Sequence, residues 1–347
     1  MLPILWFWIV AVMIAMYVVL DGFDLGAGAV HLAVAKTDDE RRMVLKSIGP
    51  VWDGNEVWLL AGGGALYFAF PPLYASSFSG FYLPLMMVLW LLILRGTSVE
   101  FRSHIRNAVW RPMWDVIFSL SSTLLAVFFG TALGNVVRGV PLNKDGEFFL
   151  PLWTNFQPGS EPGILDWYTI LVGVFSLLTL MQHGALWVAH KTENAVQERA
   201  RRIARLAWYG VALLTVVVTI ASFSIQPKLA ESFAKWPAGY AFPALAVAAL
   251  AGVFVFGRKG EDGKAFLASA LYIVGMLTSV VFGVFPMVLP ANSDPSLSLT
   301  IYNASAPEYG LRVGLAWFTP GILIAAGYFW FLYRRFAGKV QVEAEGY

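Results

Sequence analysis

The sequence predicts an all-α polytopic membrane protein with about nine transmembrane helices in one integral membrane domain, 1–347. Three observations lead there. Hydrophobic residues make up 58% of the chain and charged residues 13%, with mean hydropathy +0.65, whereas soluble domains are about 45–50% apolar. Runs of about 20 mostly apolar residues recur along the whole length, and only helices can satisfy their own backbone groups in such segments. Basic residues also alternate: nineteen of the 24 Lys and Arg fall in or beside every second connection, and five in the others.

The spans are placed at about 3–30, 51–70, 76–95, 113–137, 165–189, 205–224, 240–257, 265–288 and 311–333. The opening segment MLPILWFWIVAVMIAMYVVL has no basic leader or small-residue cleavage site, so it reads as a retained helix. The basic connections follow spans one, three, five and seven and continue into the C-terminal tail. The positive-inside rule therefore predicts a periplasmic N-terminus and a cytoplasmic C-terminus. Two connections on the opposite side, Arg138–Ile164 and Leu289–Gly310, are rich in turn formers and aromatics and are expected to fold over that face. Asn303 heads a formal glycosylation sequon but reads as a turn. Trp and Tyr near span ends, among them Trp6, Trp187 and Trp330, read as interface anchors.

The most informative stretch is GPVWDGNEVWLLAGGG, Gly49–Gly64. Pro50 suits a first helical turn, and Asp53 and Glu56 are acids at a positive helix end, three apart on one face. Two readings stay open: dipole compensation, or a proton-handling pair at a membrane boundary. Gly62, Gly63 and Gly64 form a smooth face for helix packing. DGFDLGAG, Asp21–Gly28, puts Asp21 and Asp24 on one face late in the first span. Acids there cost about 2.5–3.5 kcal/mol on insertion scales and must face protein or water. The adjoining glycines point to close packing around them.

Elsewhere the chemistry is sparse. Cysteine is absent, which removes disulfides, thiolate nucleophiles and iron–sulfur ligation. GAGAVH lacks the third glycine of a dinucleotide fingerprint, and GRKGEDGK fails the P-loop spacing. Asp115 beside Arg111 reads as a dipole-compensating acid, and Glu100, Arg102 and Arg106 read as an exposed charged surface. His31, His104 and His190 fall near or in basic connections, where solvated or interfacial roles prevail. His183 is the one histidine placed within the membrane and reads as bonded to a neighbouring helix. Met181 and Met287 read as packing residues, so no metal site emerges.

The ordered set DGFDLGAG, DERRMVLKSIGPVWDGNEVWLLAGGGALYFAFPPLYASSFSGFY, RGTSVEFR, WRPMWD, FGTALGNVVRGVPLN and FPMVLP…SLTIYNAS…WFTPGIL resembles subunit II of the cytochrome bd-type ubiquinol oxidases. The resemblance covers essentially the whole chain and leaves open the cyanide-insensitive branch. It implies two four-helix bundles plus a peripheral helix in a bacterial inner membrane. It implies a heterodimer with a haem-bearing subunit I that holds haem b and haem d and oxidises quinol, with oxygen reduced to water. No haem ligand is expected from this chain. A structural quinone and a small accessory subunit are compatible additions, and no nucleic-acid partner is expected. The resemblance also implies that Asp53 contributes to a proton path from the cytoplasm, with Glu56, Asp21 and Asp24 in weaker roles that tune or hydrate it. The alternative is an ion-coupled secondary transporter, since intramembrane acids and glycine-interrupted helices also build such sites.

Overall fold

The computed structural model describes residues 1–159 and 161–340. Nine helices run end to end: α1 (Leu2–Val34), α3 (Trp52–Ala69), α5 (Tyr82–Phe101), α6 (Trp110–Arg138), α7 (Trp167–Lys191), α8 (Asn194–Ile225), α10 (Ala241–Lys259), α11 (Asp262–Val284) and α12 (Glu308–Arg335). Three short helices, α2 (Asp38–Ile48), α4 (Pro71–Gly80) and α9 (Lys228–Lys235), lie at their ends. Eight of the nine are long and apolar enough to cross a membrane. The exception is α3, whose first turns carry Asp53, Asn55 and Glu56.

Helices α1, α3, α5 and α6 form one four-helix group, and α7, α8, α10 and α11 a second. Helix α1 joins the groups by packing on α7 and α11, and α6 packs on α7. Helix α12 is peripheral: it rests on α1, and only Leu311 of its residues is buried. The fold expected from the resemblance is thus the fold observed. The C-terminal residues, whose cytoplasmic side the sequence predicts, lie outside the described residues.

Small residues set the contact between the groups. A Cβ placed on Gly26 of α1 would lie 2.8 Å from the Gly184 backbone N and 2.8 Å from the Leu180 carbonyl carbon of α7. Without those hydrogens-only positions the helices could not meet backbone to backbone, the packing mode that lipid-embedded helices depend on. The glycines of DGFDLGAG therefore pack as the sequence suggested.

Local signals set the helix ends. Thr37 and Glu40 form a capping box that starts α2, and Val44, Leu45 and Ile48 turn its apolar face inward. Asp166 caps α7 by accepting from the backbone N–H groups of Tyr168 at 2.8 Å and Thr169 at 2.9 Å. The third span is displaced from its predicted place: it begins at Tyr82 rather than near residue 76 and runs to Phe101. Pro71 and Pro72 open a separate helix, α4, which ends at Gly80 with Phe81 between it and α5, and the Ser76 hydroxyl ties α4 to the Gly146 carbonyl.

The two long connections fold together over one end. Val140 N–H donates to the Pro290 carbonyl at 3.0 Å, Asn292 N–H returns to Val140 at 3.1 Å, and Ala306 N–H donates to Ala69 at 2.9 Å. A two-stranded hairpin, β1 (Met287–Leu289) with β2 (Leu299–Thr300), lies in the same cap. Leu142, Leu150, Leu289 and Ile301 fill the space beneath it. Asn303 makes a turn, its side-chain oxygen accepting from Thr300 N–H at 2.7 Å. Two predicted interface anchors are instead buried: Trp6 donates to the Leu311 carbonyl and Trp187 to the Ser47 carbonyl, each at 3.0 Å, because indole N–H groups beneath the surface need a protein acceptor. Trp330 remains exposed.

Replacing Gly26 by Val should separate α1 from α7 and destabilise the fold by at least about 3 kcal/mol, since backbone rather than a mobile side chain must yield. Thermal unfolding of the detergent-solubilised protein measures this, and an unchanged midpoint would contradict the backbone contact.

Candidate functional site

The acids of α1 and α3 converge inside the bundle, Glu56 about one turn from the start of α3 and Asp24 and Asp21 about three to four turns before the end of α1. Asp21 accepts both terminal nitrogens of Arg95 from α5, at 2.8 and 2.5 Å. Glu56 approaches the same guanidinium at 3.6 Å. Both Asp21 and Arg95 are buried, whereas the Glu56 side chain keeps 24% exposure. The planar fork of arginine suits this bidentate arrangement, and an isolated charge here would cost several kcal/mol.

Asp24 sits one turn further along α1. The Asn55 amide donates to Asp24 Oδ2 at 2.8 Å and to the Leu20 carbonyl at 3.3 Å. The Tyr333 hydroxyl of α12 donates to Asn55 Oδ1 at 2.8 Å. Asp24 Oδ1 is buried with no hydrogen-bond partner among the described residues, and the buried Tyr17 hydroxyl lies beside Asp21. The Trp52 ring lies 6.0 Å from the Arg95 guanidinium and covers it at the start of α3.

Asp53 stands apart from these contacts. It occupies the first turn of α3, exposed and without a hydrogen bond or ion pair among the described residues. Its relation to the cluster is along the helix, one turn before Glu56 on one face. Of the three glycines, Gly62 faces α1, where a Cβ would sit 3.9 Å from Ile14 and Met13. Gly63 and Gly64 have nothing within 4 Å, so no helix among the described residues uses them for packing.

A second buried cluster corrects three sequence readings. Asp115, expected to compensate a helix dipole, is fully buried and accepts from Arg102 Nε at 2.6 Å and from Arg41 at 3.1 Å, with His31 Nε2 at 2.8 Å. Arg102, expected on an exposed surface, is 1% exposed because it bridges Asp115 and Asp38, the latter at 2.7 Å. His31, expected to be solvated or interfacial, is buried against Phe118. Arg111 pairs with Asp38 at 2.6 Å rather than with Asp115. Glu100, Arg106 and His104 are exposed.

His183 is bonded to neighbouring helices, as predicted: Nδ1 meets the Ser269 hydroxyl at 2.5 Å and Nε2 the Val19 carbonyl at 3.0 Å. Both ring nitrogens are therefore engaged, and His31 is held by Asp115. His31 Nδ1 has no hydrogen-bond partner among the described residues, and those residues hold no cluster of three or more His, Asp or Glu that could bind a metal. Met181 packs against an apolar cluster, and Met287 is buried with its sulfur 4.0 Å from Lys228 Nζ.

Four members of the main cluster escaped sequence reading: Arg95, Asn55, Tyr17 and Tyr333. Only Arg95 left a usable signal, as a single cation closing the apolar run LPLMMVLWLLIL.

The fold and this site define a class: a multi-pass helical membrane subunit with a paired charge cluster inside one bundle. The description "Cytochrome bd terminal oxidase subunit II" matches residues 2–336, and the chain belongs to that family. It is 34% identical to the "Probable cytochrome oxidase subunit 2" of Haemophilus influenzae, over 99% of this chain and 96% of that protein. It is 30% identical to the "Cytochrome bd-I ubiquinol oxidase subunit 2" of Escherichia coli K12, covering 99% and 97%. Among solved structures, the bd oxidase of Geobacillus thermodenitrificans shares the fold, with a TM-score of 0.75 at 18% identity over 96% of this chain and 98% of that one.

Replacing Arg95 by Leu should destabilise the protein by about 3–5 kcal/mol, because Asp21 would be left as a buried charge without a partner. The double change Arg95→Leu with Asp21→Asn should recover part of that loss. A double-mutant cycle on thermal unfolding reads the coupling, and additive effects would contradict the pairing.

Proposed function

We propose that this chain is the non-haem subunit of an electrogenic quinol:oxygen oxidoreductase in a bacterial inner membrane. Two quinols give two quinones, four electrons and four protons, and oxygen takes four electrons and four protons to give two waters. The names of the Escherichia coli and Bacillus subtilis relatives, both ubiquinol oxidase subunits, support this reading. Haem b and haem d in the partner subunit supply the electron transfer. The chain itself holds that subunit and brings protons to it from the cytoplasm, which the concentration of Lys and Arg at the α2 end supports.

The carrying observation is the gradient of exposure from Asp53 to Asp21. Asp53 is open to solvent, the Glu56 side chain is 24% exposed, and Arg95 and Asp21 are buried. A carboxylate at the open mouth can take a proton, and Glu56 one turn further in is placed to receive it. The Arg95–Asp21 pair then fixes the charge that Glu56 faces, while Asp24, Asn55 and Tyr333 form a hydrogen-bonded branch beside it. Protons consumed from one side and released by quinol on the other separate charge without a pump. The transporter alternative rests on intramembrane acids and glycine-interrupted helices, features that family membership accounts for.

The structural quinone also has a candidate place. An apolar cavity of about 330 Å³ lies between α6 and the second bundle, bordered by Leu133, Val172, Phe175, Leu277 and Val280 and by Leu229 and Phe233 of α9. Its volume is at the lower end of ligand pockets, and its walls suit an isoprenoid or acyl chain.

Asp53→Asn in the purified complex should leave the reduced-minus-oxidised haem spectrum intact and lower quinol-driven oxygen uptake at least about tenfold, as loss of a positioned proton-transfer group does. Full uptake with a complete haem spectrum would reduce this chain to a scaffold. Leu277→Trp should fill the cavity, and organic extraction of the complex should then recover less bound quinone. Equal recovery would place any quinone elsewhere.

A further inference from the structure

A second cavity, of about 610 Å³, opens at the α2 end of the protein, and its wall is strongly basic. Lys46 from α2, His190 and Lys191 from α7, Tyr333 and Arg335 from α12, and Lys339 beyond α12 border it. None of the four Lys and Arg side chains has an ion pair among the described residues. Lys191 Nζ donates to the Phe336 carbonyl at 2.5 Å, and Lys339 Nζ to the Ala189 and Thr192 carbonyls at 3.0 and 2.7 Å.

Helix-end compensation accounts for part of this charge. The C-termini of α2, α7 and α12 meet here, and three half-charges amount to about −1.5 against four formal positive charges. The N-terminus of α3, at Pro50 and Val51, also borders the cavity and adds about half a positive charge. Roughly three positive charges are left over among the described residues. Asp262 and Glu193 attract Lys339, but Asp262 is already held by Arg201 at 2.7 and 2.8 Å and by Gln197 at 2.8 Å. Burial, reinforced by Arg201, keeps the Lys339 ammonium below the ordinary lysine range despite both acids. A cavity at the edge of a helical bundle whose described charged groups are all basic is an arrangement that receives anionic headgroups.

We propose that this cavity binds a net-anionic phosphate group, carried by an anionic phospholipid or by free phosphate. The bound group would bridge Lys46 of α2 to Lys339 beyond α12. It would thereby fix the segment that follows Tyr333, whose hydroxyl positions Asn55 against Asp24. The backbone already prepares that segment: Val340 N–H donates to the Lys191 carbonyl at 2.8 Å.

Lysine acylation of the intact complex, read peptide by peptide by mass spectrometry, tests the proposal. The complex is placed in phosphatidylcholine nanodiscs, in the same discs with millimolar inorganic phosphate at ionic strength matched with chloride, and in discs containing phosphatidylglycerol. Lys36 and Lys259, exposed at the same end, serve as internal controls. Lys46 and Lys339 should become about tenfold less reactive relative to the controls when ligand exceeds its Kd tenfold. Protection by phosphatidylglycerol alone identifies a lipid headgroup, and protection by inorganic phosphate identifies a free anion. Protection under neither condition overturns the proposal, as does a pair of lysines already unreactive in phosphatidylcholine and unchanged by both additions.

Discussion

An arginine inside a lipid-embedded bundle must find a counter-charge, and Arg95 finds it in Asp21. Much of the first bundle depends on that pair. Lipid tails are as apolar as leucine, so apolar surface gives helices little reason to associate in a membrane. Helix α5 illustrates the difficulty, with only 11% of its apolar window buried. It is held by charge at two levels instead: Arg95 binds Asp21 and faces Glu56 within the bundle, and Arg102 binds Asp115 and Asp38 just beyond the helix end. Three helices are therefore fixed relative to one another by a single guanidinium, from α1, α3 and α5.

The same logic repeats at the two ends. Asp115 of α6 gathers His31 from α1, Arg41 from α2 and Arg102 from the turn after α5, so one carboxylate ties four segments. At the opposite end Arg138 pairs with Asp166 and donates to the Gly163 carbonyl at 2.9 Å and to Asn135 Oδ1 at 2.7 Å. Asp166 is also the cap of α7, which links this ion pair to the start of the second bundle. Buried ion pairs contribute little net stability against an apolar alternative, yet removing one partner is costly. Such pairs act as registry devices, and here they set helix depth and rotation where apolar contact alone would let helices slide.

The architecture was legible because long apolar runs and alternating basic connections are period-scale signals that survive local error. The individual acids were legible too: Asp21, Asp24, Asp53 and Glu56 are conspicuous against apolar neighbours. Their partners were not. The apolar run places Arg95 at the end of a span, whereas α5 starts about six residues later, after the separate helix α4 and the break at Phe81, so Arg95 falls inside the helix. His31 and Asp115 stand 84 positions apart, and nothing local marks them as a pair. Asn55 and Tyr333 are neutral, so no charge pattern draws attention to them, although both hold Asp24 in place. Gly26 and Gly184 show the converse: a small-residue signal read from α1 alone already implied a close neighbour, but only the fold identifies α7.

The two bundles differ in what lines their interiors. The first contains Asp21, Asp24, Glu56 and Arg95, groups that carry or exchange charge. Buried polar contacts of the second are largely between uncharged partners: Tyr168 with Ser222 at 2.8 Å, Tyr272 with Thr215 at 2.6 Å, and His183 with Ser269. They surround an apolar cavity. A proton needs a continuous run of polar groups to move through a membrane, whereas this cavity has a mostly apolar wall with hydroxyls paired to one another, so it suits the proposed quinone chain and not the proposed proton route. Helix α1 separates them. It turns Asp21 and Asp24 toward α3 and α5, and it turns Gly26 and the Val19 carbonyl toward α7, where His183 binds that carbonyl. A shift of α1 that weakened the Arg95–Asp21 pair would also have to break the glycine contact and the His183 bond. The apolar bundle thus acts as a rigid backing for the charged one, and that rigidity keeps Asp21 aligned with a guanidinium donated by a helix with little packing of its own.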